Sequence, residues 1–269
     1  IDLAATVLKT KNISWDVNVN ATTYKNKIIK LADPLKADLI VDGHPGYSSG
    51  DKLYAEGLPI YNWYIPRYAG VSDKGKSLWY YTDTDGTLKT TDVYGNASYY
   101  SCGSPHPDVY GGFGTTFNAY GFDFSISFAY SLGGKSYDYG YAGTMDVPSG
   151  TLGGTSLHQD VLKAWSADNP NSNIPRWQYD DPSVTSQSDR FLTSGSYLTL
   201  QNINLGYTLP KLWVSRIGLE NVRLYVAADN VYFWSKRKGF DPRGSFSGSS
   251  STTIYSPTRT VSGGIKLTF

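Results

Sequence analysis

The sequence predicts an all-β fold, in which about nine antiparallel strands form part of a transmembrane β-barrel with long loops. Three observations predict this fold class. Apolar and polar residues alternate with a period of two in many segments, and short and long connections alternate between those segments. The 269 residues include 23 tyrosines and 28 glycines but only 17% charged residues. Amphipathic aromatic residues are enriched where one side of a surface is apolar and the other is wet.

The first four predicted strands fall in the first third of the chain. Strands at about 2–8 and 12–24 are joined by the short connection "KTKN". A link of some thirty residues leads to a third strand at about 58–68, and "AGVSDKGK" turns into a fourth around "SLWYY". In the second strand the apolar residues occupy odd positions: Ile13, Trp15, Val17, Val19 and Ala21.

Five further strands follow in the remainder of the chain. The segment "YLTLQNINLGY" changes phase between Leu200 and Ile203, which predicts a β-bulge. In "FDFSISFAY" the even positions are apolar, so one face of that strand is apolar and the other polar. The five predicted strands span 113–119, 122–132, 196–207, 222–233 and 258–269.

The alternating connections favour a barrel over a soluble sandwich. Transmembrane barrels have short turns on one side and long loops on the other, with strands of about 9–11 residues. A sandwich shows the same alternation within each strand. However, three structureless loops of about thirty to sixty residues are uncommon inside a compact domain. A secreted all-β carbohydrate-binding or adhesin module remains the alternative.

Composition excludes several classes of function. The net charge is +1 and like charges do not cluster, so the chain lacks the basic surface of a nucleic-acid-binding protein. Cys102 is the single cysteine, so no internal disulfide can form. Apolar runs of about 18 residues, which indicate transmembrane helices, do not occur in the sequence.

Two short motifs have a chemical interpretation that the sequence context does not favour. "GYSSG" matches the nucleophile elbow of hydrolases around Ser48, but the following residues lack the helical pattern that this turn requires. "YTDTDGTLKTTD" places Asp83, Asp85 and Asp92 near a glycine, so Ca²⁺ is a possible ligand. Tyr81 occupies the first ligand position, and a tight turn is the favoured interpretation. We therefore predict no catalytic residue and no metal site.

Two sets of residues are candidates for function. Polar positions within strands are predicted to face the barrel lumen, where they solvate the wall or pair with a plug: Asp16, Asn18, Asn20, Asp123, Ser125, Arg223, Tyr225 and Asp229. Aromatic residues in the connections are predicted to contact the substrate or a lid, with loop packing as the alternative: Trp79, Tyr80, Trp165, Trp177 and Tyr179.

Several stretches resemble the C-terminal part of the SusC/RagA-like family of TonB-dependent outer-membrane transporters. They include "GLPIYNWYIPRYAGVSDKGKSLWYY", "GSPHPDVYGGFGTTFNAYGFDFSISFAYSLGGKSYD", "DVLKAWSADNPNSNIPR" and "SDRFLTSGSYLTLQNINLGYTLP". The end of the chain, "NVRLYVAADNVYFWSKRKGFDPRG" followed by "SPTRTVSGGIKLTF", is the strongest match. The resemblance covers nearly all of residues 1–269 and keeps the order of the family.

The resemblance implies a large plugged barrel of the roughly 22-stranded class. It also implies import of bulky nutrients, usually glycans or peptides, across the bacterial outer membrane without covalent chemistry. The implied partners are a SusD-like surface lipoprotein, the TonB complex through an N-terminal region, the plug and remaining barrel, and outer-membrane lipid. No enzyme activity, cofactor or nucleic acid is implied.

The two ends of the chain are interpreted differently. Ile265, Leu267 and Phe269 alternate with polar residues, and a terminal aromatic residue after such a pattern resembles the signal read by the outer-membrane assembly machinery. The alternative is that Phe269 only completes an aromatic girdle. If the last strand runs toward the periplasm, an odd number of strands places Ile1 near the extracellular rim. The chain is therefore expected to continue a longer polypeptide.

Overall fold

The computed structural model describes residues 1–36, 38–147, 156–249 and 257–269. Strands dominate these residues. In chain order they are β1 (Asp2–Lys9), β2 (Ile13–Thr22), β3 (Leu39–Val41), β4 (His44–Ser49), β5 (Lys52–Ala55), β6 (Asn62–Pro66), β7 (Tyr68–Val71), β8 (Ser77–Thr82), β9 (Leu88–Thr91), β10 (Tyr99–Ser101), β11 (Val109–Ala119), β12 (Phe122–Leu132), β13 (Lys135–Tyr137), β14 (Leu192–Ser194), β15 (Tyr197–Thr208), β16 (Asn221–Ser235) and β17 (Thr260–Thr268).

Helices are short and lie in the connections between strands. Among the described residues, no helix is long and apolar enough to cross a membrane. The α-helices are α1 (Asp33–Lys36), α2 (Tyr139–Thr144) and α3 (Lys211–Val214). The 3₁₀ helices are Tyr94–Asn96, Gln159–Lys163, Pro182–Thr185, Asp189–Phe191, Ser215–Ile217 and Pro242–Gly244.

Seven strands form one antiparallel sheet in the order β1–β2–β11–β12–β15–β16–β17, here called the main sheet. This arrangement confirms the all-β, antiparallel prediction. The predicted number of about nine strands is wrong for the main sheet. The segment predicted at 58–68 forms β6 in a five-stranded sheet, and "SLWYY" lies in β8 of a three-stranded sheet. Strand β6 has 5 residues and β8 has 6. Both are shorter than the roughly 9–11 residues that a membrane-spanning strand needs.

The register of the main sheet gives it one apolar and one polar face. Val19, Phe113 and Phe128 are aligned across β2, β11 and β12. Their neighbours along the strands, Asn18 and Gly114, are aligned on the opposite face. Because successive side chains of a strand point to opposite faces, a slip of one residue would mix the two sets. The alternation in the sequence is therefore preserved across β2, β11 and β12.

The β-bulge predicted between Leu200 and Ile203 is confirmed. Leu200 pairs with Phe128 and Asn202 pairs with Ser127, so Gln201 is the extra residue of β15. The pairing of β15 with β16 shifts at the same place. The bulge lets Leu198 and Ile203 lie on one face although they are an odd number of residues apart.

The connections of the main sheet differ at its two ends. Residues 10–12, 120–121 and 209–220 link strands at one end, here called the short-turn end. The described residues of the connections 23–108, 133–196 and 236–259 lie at the other, the long-connection end. The sequence pattern predicted that these long segments are structureless, and this prediction is wrong. They contain a five-stranded sheet, β10–β6–β5–β4–β3, a three-stranded sheet, β7–β8–β9, and the pair β13–β14.

The hydrophobic core lies in the long connections and not on the main sheet. Trp63, Tyr137 and Phe191 are at most 2% exposed and pack together with Ile65 and Cys102. In contrast, large apolar side chains remain exposed along the apolar face of the main sheet: Trp15, Val19, Phe113, Phe117, Phe122, Leu205, Leu224, Val226, Val261, Ile265 and Leu267. The described residues provide no second layer for this face, unlike a β-sandwich.

Candidate functional site

The five aromatic residues predicted to contact substrate or a lid do not form one site. Trp79 is only 1% exposed and packs edge-to-face against Tyr94, with 5.2 Å between ring centroids. The prediction of a contact role is therefore wrong for Trp79, because the three-stranded sheet and the loop after it enclose the indole. Tyr80 is half-buried beneath Arg67, whose guanidinium carbon lies 5.4 Å from the ring centroid.

Trp165 is also tied to packing. A Cβ at Gly75 would lie 2.4 Å from the Trp165 ring, so the glycine is needed for this close approach. Trp177 and Tyr179 are 40% and 60% exposed. Trp177 Nε1 donates a hydrogen bond to the Asp146 carbonyl oxygen at 3.1 Å. Only these last two rings are exposed enough for contact with a partner, and their role stays a prediction.

A different set of rings forms a continuous series, which we call the aromatic ladder. It runs in the order Tyr47, Tyr54, Tyr61, Phe246, His106, Tyr24 and Tyr110. Successive ring centroids are 5.2, 6.1, 6.1, 4.7, 6.1 and 6.2 Å apart. These separations are within the range of favourable aromatic pairs.

The two ends of the aromatic ladder are fixed by strand pairing. Tyr47 on β4 pairs directly with Tyr54 on β5, which stacks the two rings at an interplanar angle of 17°. Tyr110 pairs with Thr22 and belongs to the polar face of the main sheet at its long-connection end. The aromatic ladder therefore leads from the five-stranded sheet to the rim of the polar face.

The middle of the aromatic ladder is held by loop residues. Tyr61 has φ 61°, a left-handed conformation that few non-glycine residues adopt. The His106 ring packs against Phe246, and its Nδ1 is within hydrogen-bonding distance of Asn26 and Ser104. Burial, reinforced by the charge of Lys52, lowers the pKa of His106, so the imidazole is neutral at neutral pH.

The aromatic ladder offers an amphipathic surface. Phe246 is 70% exposed and Tyr110 is 42% exposed. In the described part of the chain, the five tyrosine hydroxyls of the ladder donate no hydrogen bond to the protein. Rings with free hydroxyls can pack on an apolar surface of a ligand and also bind its polar groups. Sequence reasoning missed this set because its members come from distant segments; the high tyrosine content was the available signal.

Lys52 anchors the loop that supplies Phe246. The side chain is 5% exposed, and its Nζ donates a hydrogen bond to the Ser247 carbonyl oxygen at 2.7 Å. The Tyr137 backbone amide donates to the Gly248 carbonyl oxygen at 2.8 Å. Burial lowers the pKa of Lys52 to about 7, with Asp51 opposing that shift. These contacts fix Ser247 and Gly248, in the first part of the β16–β17 connection, against the buried core.

The motifs with a possible chemical role fold as ordinary hairpins. Ser48 lies in β4, which turns at Gly50 into β5, so a strand–turn–strand replaces the strand–turn–helix of a nucleophile elbow. Asp83 and Asp92 pair with two different lysines, Lys89 and Lys76. Within the described residues, histidine, cysteine and carboxylate side chains form no group of three that could hold a metal ion.

Comparison with known proteins finds several relatives that are named TonB-dependent receptors. TonB-dependent receptor P3 of Formosa agariphila is 30% identical over 254 residues, and the TonB-dependent receptor SusC of Bacteroides thetaiotaomicron is 26% identical over 244. No family model matches the chain. The matches to these two receptors cover 88% and 87% of this chain.

Among solved structures, the RagAB peptide importer in its closed-closed state aligns with a TM-score of 0.80 and 24% identity over 100% of the chain. The similarity of fold to RagAB and the sequence similarity to named receptors agree. The chain is similar to the SusC-like TonB-dependent receptors in sequence. It spans about a quarter of the length of its curated relatives, covering 24% of receptor P3 and 22% of SusC.

In this SusC-like chain, the eight residues predicted to face the lumen share the polar face of the main sheet. Arg223 and Asp123 form an ion pair, Asp229 accepts a hydrogen bond from Asn202 at 2.7 Å, and Asp16 accepts one from Thr6 at 2.6 Å. The register aligns Asp16 with Thr116, Asn18 with Gly114, Asn20 with Gly112, Ser125 with Asn204, and Tyr225 with Gly206. That this face lines a lumen stays a prediction.

The final strand of the SusC-like chain also follows the alternation. Ile265 and Leu267 pair with Leu224 and Val222 on the apolar face and are 66% and 47% exposed. Phe269 follows β17 and is 82% exposed. Exposed apolar residues at the edge of a sheet are available for contact with lipid or another strand. The assembly role of these three residues stays a prediction.

Proposed function

We propose that this chain is the C-terminal part of the barrel of an outer-membrane receptor that imports glycan or peptide oligomers. The uncovered apolar face of the main sheet is the observation that carries the proposal. In water, such a face would need a second layer, whereas in a bilayer the lipid covers it. The grouping of all long connections at one end supports an orientation with that end outside the cell.

The proposed mechanism is binding followed by gated passage, without covalent chemistry or a cofactor. The aromatic ladder is the surface that we assign to ligand contact, because it joins the folded long connections to the polar rim of the sheet. Trp177 and Tyr179 extend the set of candidate contacts. The relatives are receptors and transporters by name, which is consistent with a protein that is not an enzyme.

The proposed partners follow from the size of the chain relative to its relatives. A plug and the remaining strands would complete the barrel, and the TonB complex would act through a region outside residues 1–269. A SusD-like surface lipoprotein would cover the long-connection end as a lid. The RagAB structures, described as those of a peptide importer, support oligomeric nutrients as the cargo class.

Uptake by intact cells tests the proposal. Cells with and without the receptor gene would receive a pool of dye-labelled oligosaccharides or a pool of dye-labelled oligopeptides. We expect receptor-dependent accumulation of one pool, abolished by a proton uncoupler and reduced by Phe246→Ala. The control Tyr120→Ala removes a ring that is 71% exposed in the turn at the short-turn end, and it should leave uptake unchanged. Recovery of the receptor as a soluble monomer without detergent would contradict the proposal.

A further inference from the structure

The apolar face of the main sheet contains an open groove near its long-connection end. The groove has a volume of about 490 Å³ and is lined mainly by apolar side chains of β11, β12, β15 and β16. These side chains are Phe113, Tyr130, Leu132, Leu198 and Trp234. Register places Tyr130 opposite Leu198, and Leu198 opposite Trp234, so the lining crosses three neighbouring strands.

Ring pairs form the walls of this groove. Phe113 stacks on Phe128 with a centroid distance of 4.7 Å and an interplanar angle of 14°. On the other side, Trp234 contacts Tyr232 at 4.6 Å. Leu132 is 52% exposed and Trp234 is 45% exposed, so the groove is open to its surroundings.

Unneutralised positive charge adjoins the groove. Lys236 and Lys238 follow Trp234 by two and four residues, and both are exposed. Neither lysine forms an ion pair within the residues that the structure describes. Arg237 between them turns inward, where it lies over the Tyr141 ring and pairs with Asp138 at 3.4 Å. The two lysines are thus left exposed to solvent in the segment that directly follows β16, the strand that supplies Trp234.

The surrounding rim is basic on balance. Lys25 and Lys27 are exposed just beyond β2, next to the strand that supplies Phe113. Asp108, which precedes β11, is acidic, as is Asp241 near Tyr197, but Asp241 pairs with Arg243. An anionic group is therefore favoured here over a cationic one, in keeping with the attraction of basic residues to anionic lipid headgroups.

We propose that the groove binds one acyl chain of a phosphorylated lipid of the outer leaflet, whose headgroup contacts Lys236 and Lys238. The inference rests on the proposed function, because it requires the long-connection end to lie at the outer face of the membrane. Tyrosine and tryptophan lie preferentially at the headgroup level of a bilayer, which is where Tyr130 and Trp234 would be. The lysine stems pack on apolar surface while their ammonium groups reach the phosphate.

Lipid retention by the intact receptor tests this inference. The receptor, purified in mild detergent, would be incubated with bis-phosphorylated lipid A or with its dephosphorylated form and examined by native mass spectrometry. We expect the wild type to retain phosphorylated lipid A at least fivefold better than the dephosphorylated form. The double variant Lys236→Ser/Lys238→Ser should lose this preference, and Trp234→Ala should reduce retention of both forms.

A matched control uses two lysines at the short-turn end. Lys9 and Lys11 are exposed in β1 and the turn after it, and the variant Lys9→Ser/Lys11→Ser removes the same charge. It should retain lipid A as the wild type does. Equal retention by the wild type and the Lys236/Lys238 variant would overturn the inference, as would an equal loss in the control. If the receptor inserts normally into membranes but gives either of these two results, the lipid-binding inference fails and the proposed function still stands.

Discussion

Asp123 on β12 and Arg223 on β16 form an ion pair that crosses the intervening strand β15 above Gly206. Arg223 Nε donates to Asp123 Oδ1 at 2.9 Å, and Nη2 donates to Oδ2 at 2.5 Å. A side chain at Gly206 would lie between them, since a Cβ there would be 2.4 Å from Nη2 and 2.5 Å from Oδ1. Glycine at this position therefore allows two strands that do not pair directly to be linked on the polar face.

Replacing Gly206 tests the contribution of this ion pair. Gly206→Ala should displace both side chains and lower the free energy of unfolding by about 1 kcal/mol, the upper range for a partly exposed pair. The control Gly263→Ala introduces a Cβ whose nearest neighbour is 3.4 Å away and should have little effect. Urea unfolding of the detergent-solubilised receptor, followed by gel migration, measures both. Equal stability of the two variants would contradict this account of the pair.

Alanine variants of Trp79 and Trp177 distinguish a tryptophan that packs in the core from one that is free to contact a partner. Trp79→Ala should destabilise the folded long connections by about 3–5 kcal/mol, the typical cost of deleting a buried tryptophan side chain. Trp177→Ala should cost much less, because this ring is 40% exposed. Limited proteolysis of the long connections reports the difference. Normal protease resistance of the Trp79 variant would show that its burial does not stabilise this region.

The pH dependence of the β16–β17 connection follows from Lys52. Its pKa is lowered to about 7 by burial, whereas an unfolded lysine titrates at about 10. Between these values the unfolded chain binds the proton and the folded chain does not. Stability of the docked loop should therefore rise as the pH increases from about 7 to 10, and should be lowest below 7.

Hydrogen exchange measures this effect at the amide of Tyr137, which donates to Gly248 in the docked loop. Its protection factor should increase over that pH range in the wild type. In Lys52→Met the increase should disappear, because a neutral side chain of similar length replaces the titrating amine. Asp51 and His106, the neighbouring titratable groups, remain in both proteins. An unchanged pH profile in the variant would exclude Lys52 as its origin.

The end of β17 gives a prediction about assembly. Deletion of Phe269 should lower the amount of receptor in the outer membrane, because the aromatic residue that completes the alternation after Leu267 is lost. Lys266→Ala is the control, since it changes a residue on the polar face of the same strand. Immunoblots of fractionated membranes compare the two. Normal insertion of the deletion variant would count against the assembly role.

The sequence was most informative where a strand spans the main sheet. Alternation identified all seven of these strands, and the phase change at Gln201 identified the bulge. The alternation wrongly assigned β6 and β8 to the barrel wall. A short strand inside a folded connection alternates in the same way as part of a long membrane-spanning strand. The period of the alternation alone does not show whether protein, lipid or water covers each face of a strand.

The candidate site was harder to predict for a physical reason. The aromatic ladder combines Tyr24, Tyr110 and Phe246, whose proximity depends on tertiary pairing and not on spacing along the chain. Trp79 was misassigned because an indole is suited both to a buried core and to a ligand surface. In contrast, the lumen set shares one face because each of its members belongs to a regular strand of the main sheet.

The central claim is that lipid covers the apolar face of the main sheet, and β12 offers the most direct measurement. Cys102 is buried and its pKa is raised to about 11, so the native thiol should not react at neutral pH. Spin labels would be attached to the receptor after Phe124→Cys, Ile126→Cys or Phe128→Cys, and after Ser125→Cys or Ser127→Cys. Collision rates with oxygen and with a water-soluble nickel chelate would then be compared in reconstituted membranes. We predict high oxygen and low nickel accessibility at all three even positions, and the reverse preference or protection from both reagents at the odd ones. High nickel accessibility at 124, 126 and 128 would contradict a lipid-facing sheet.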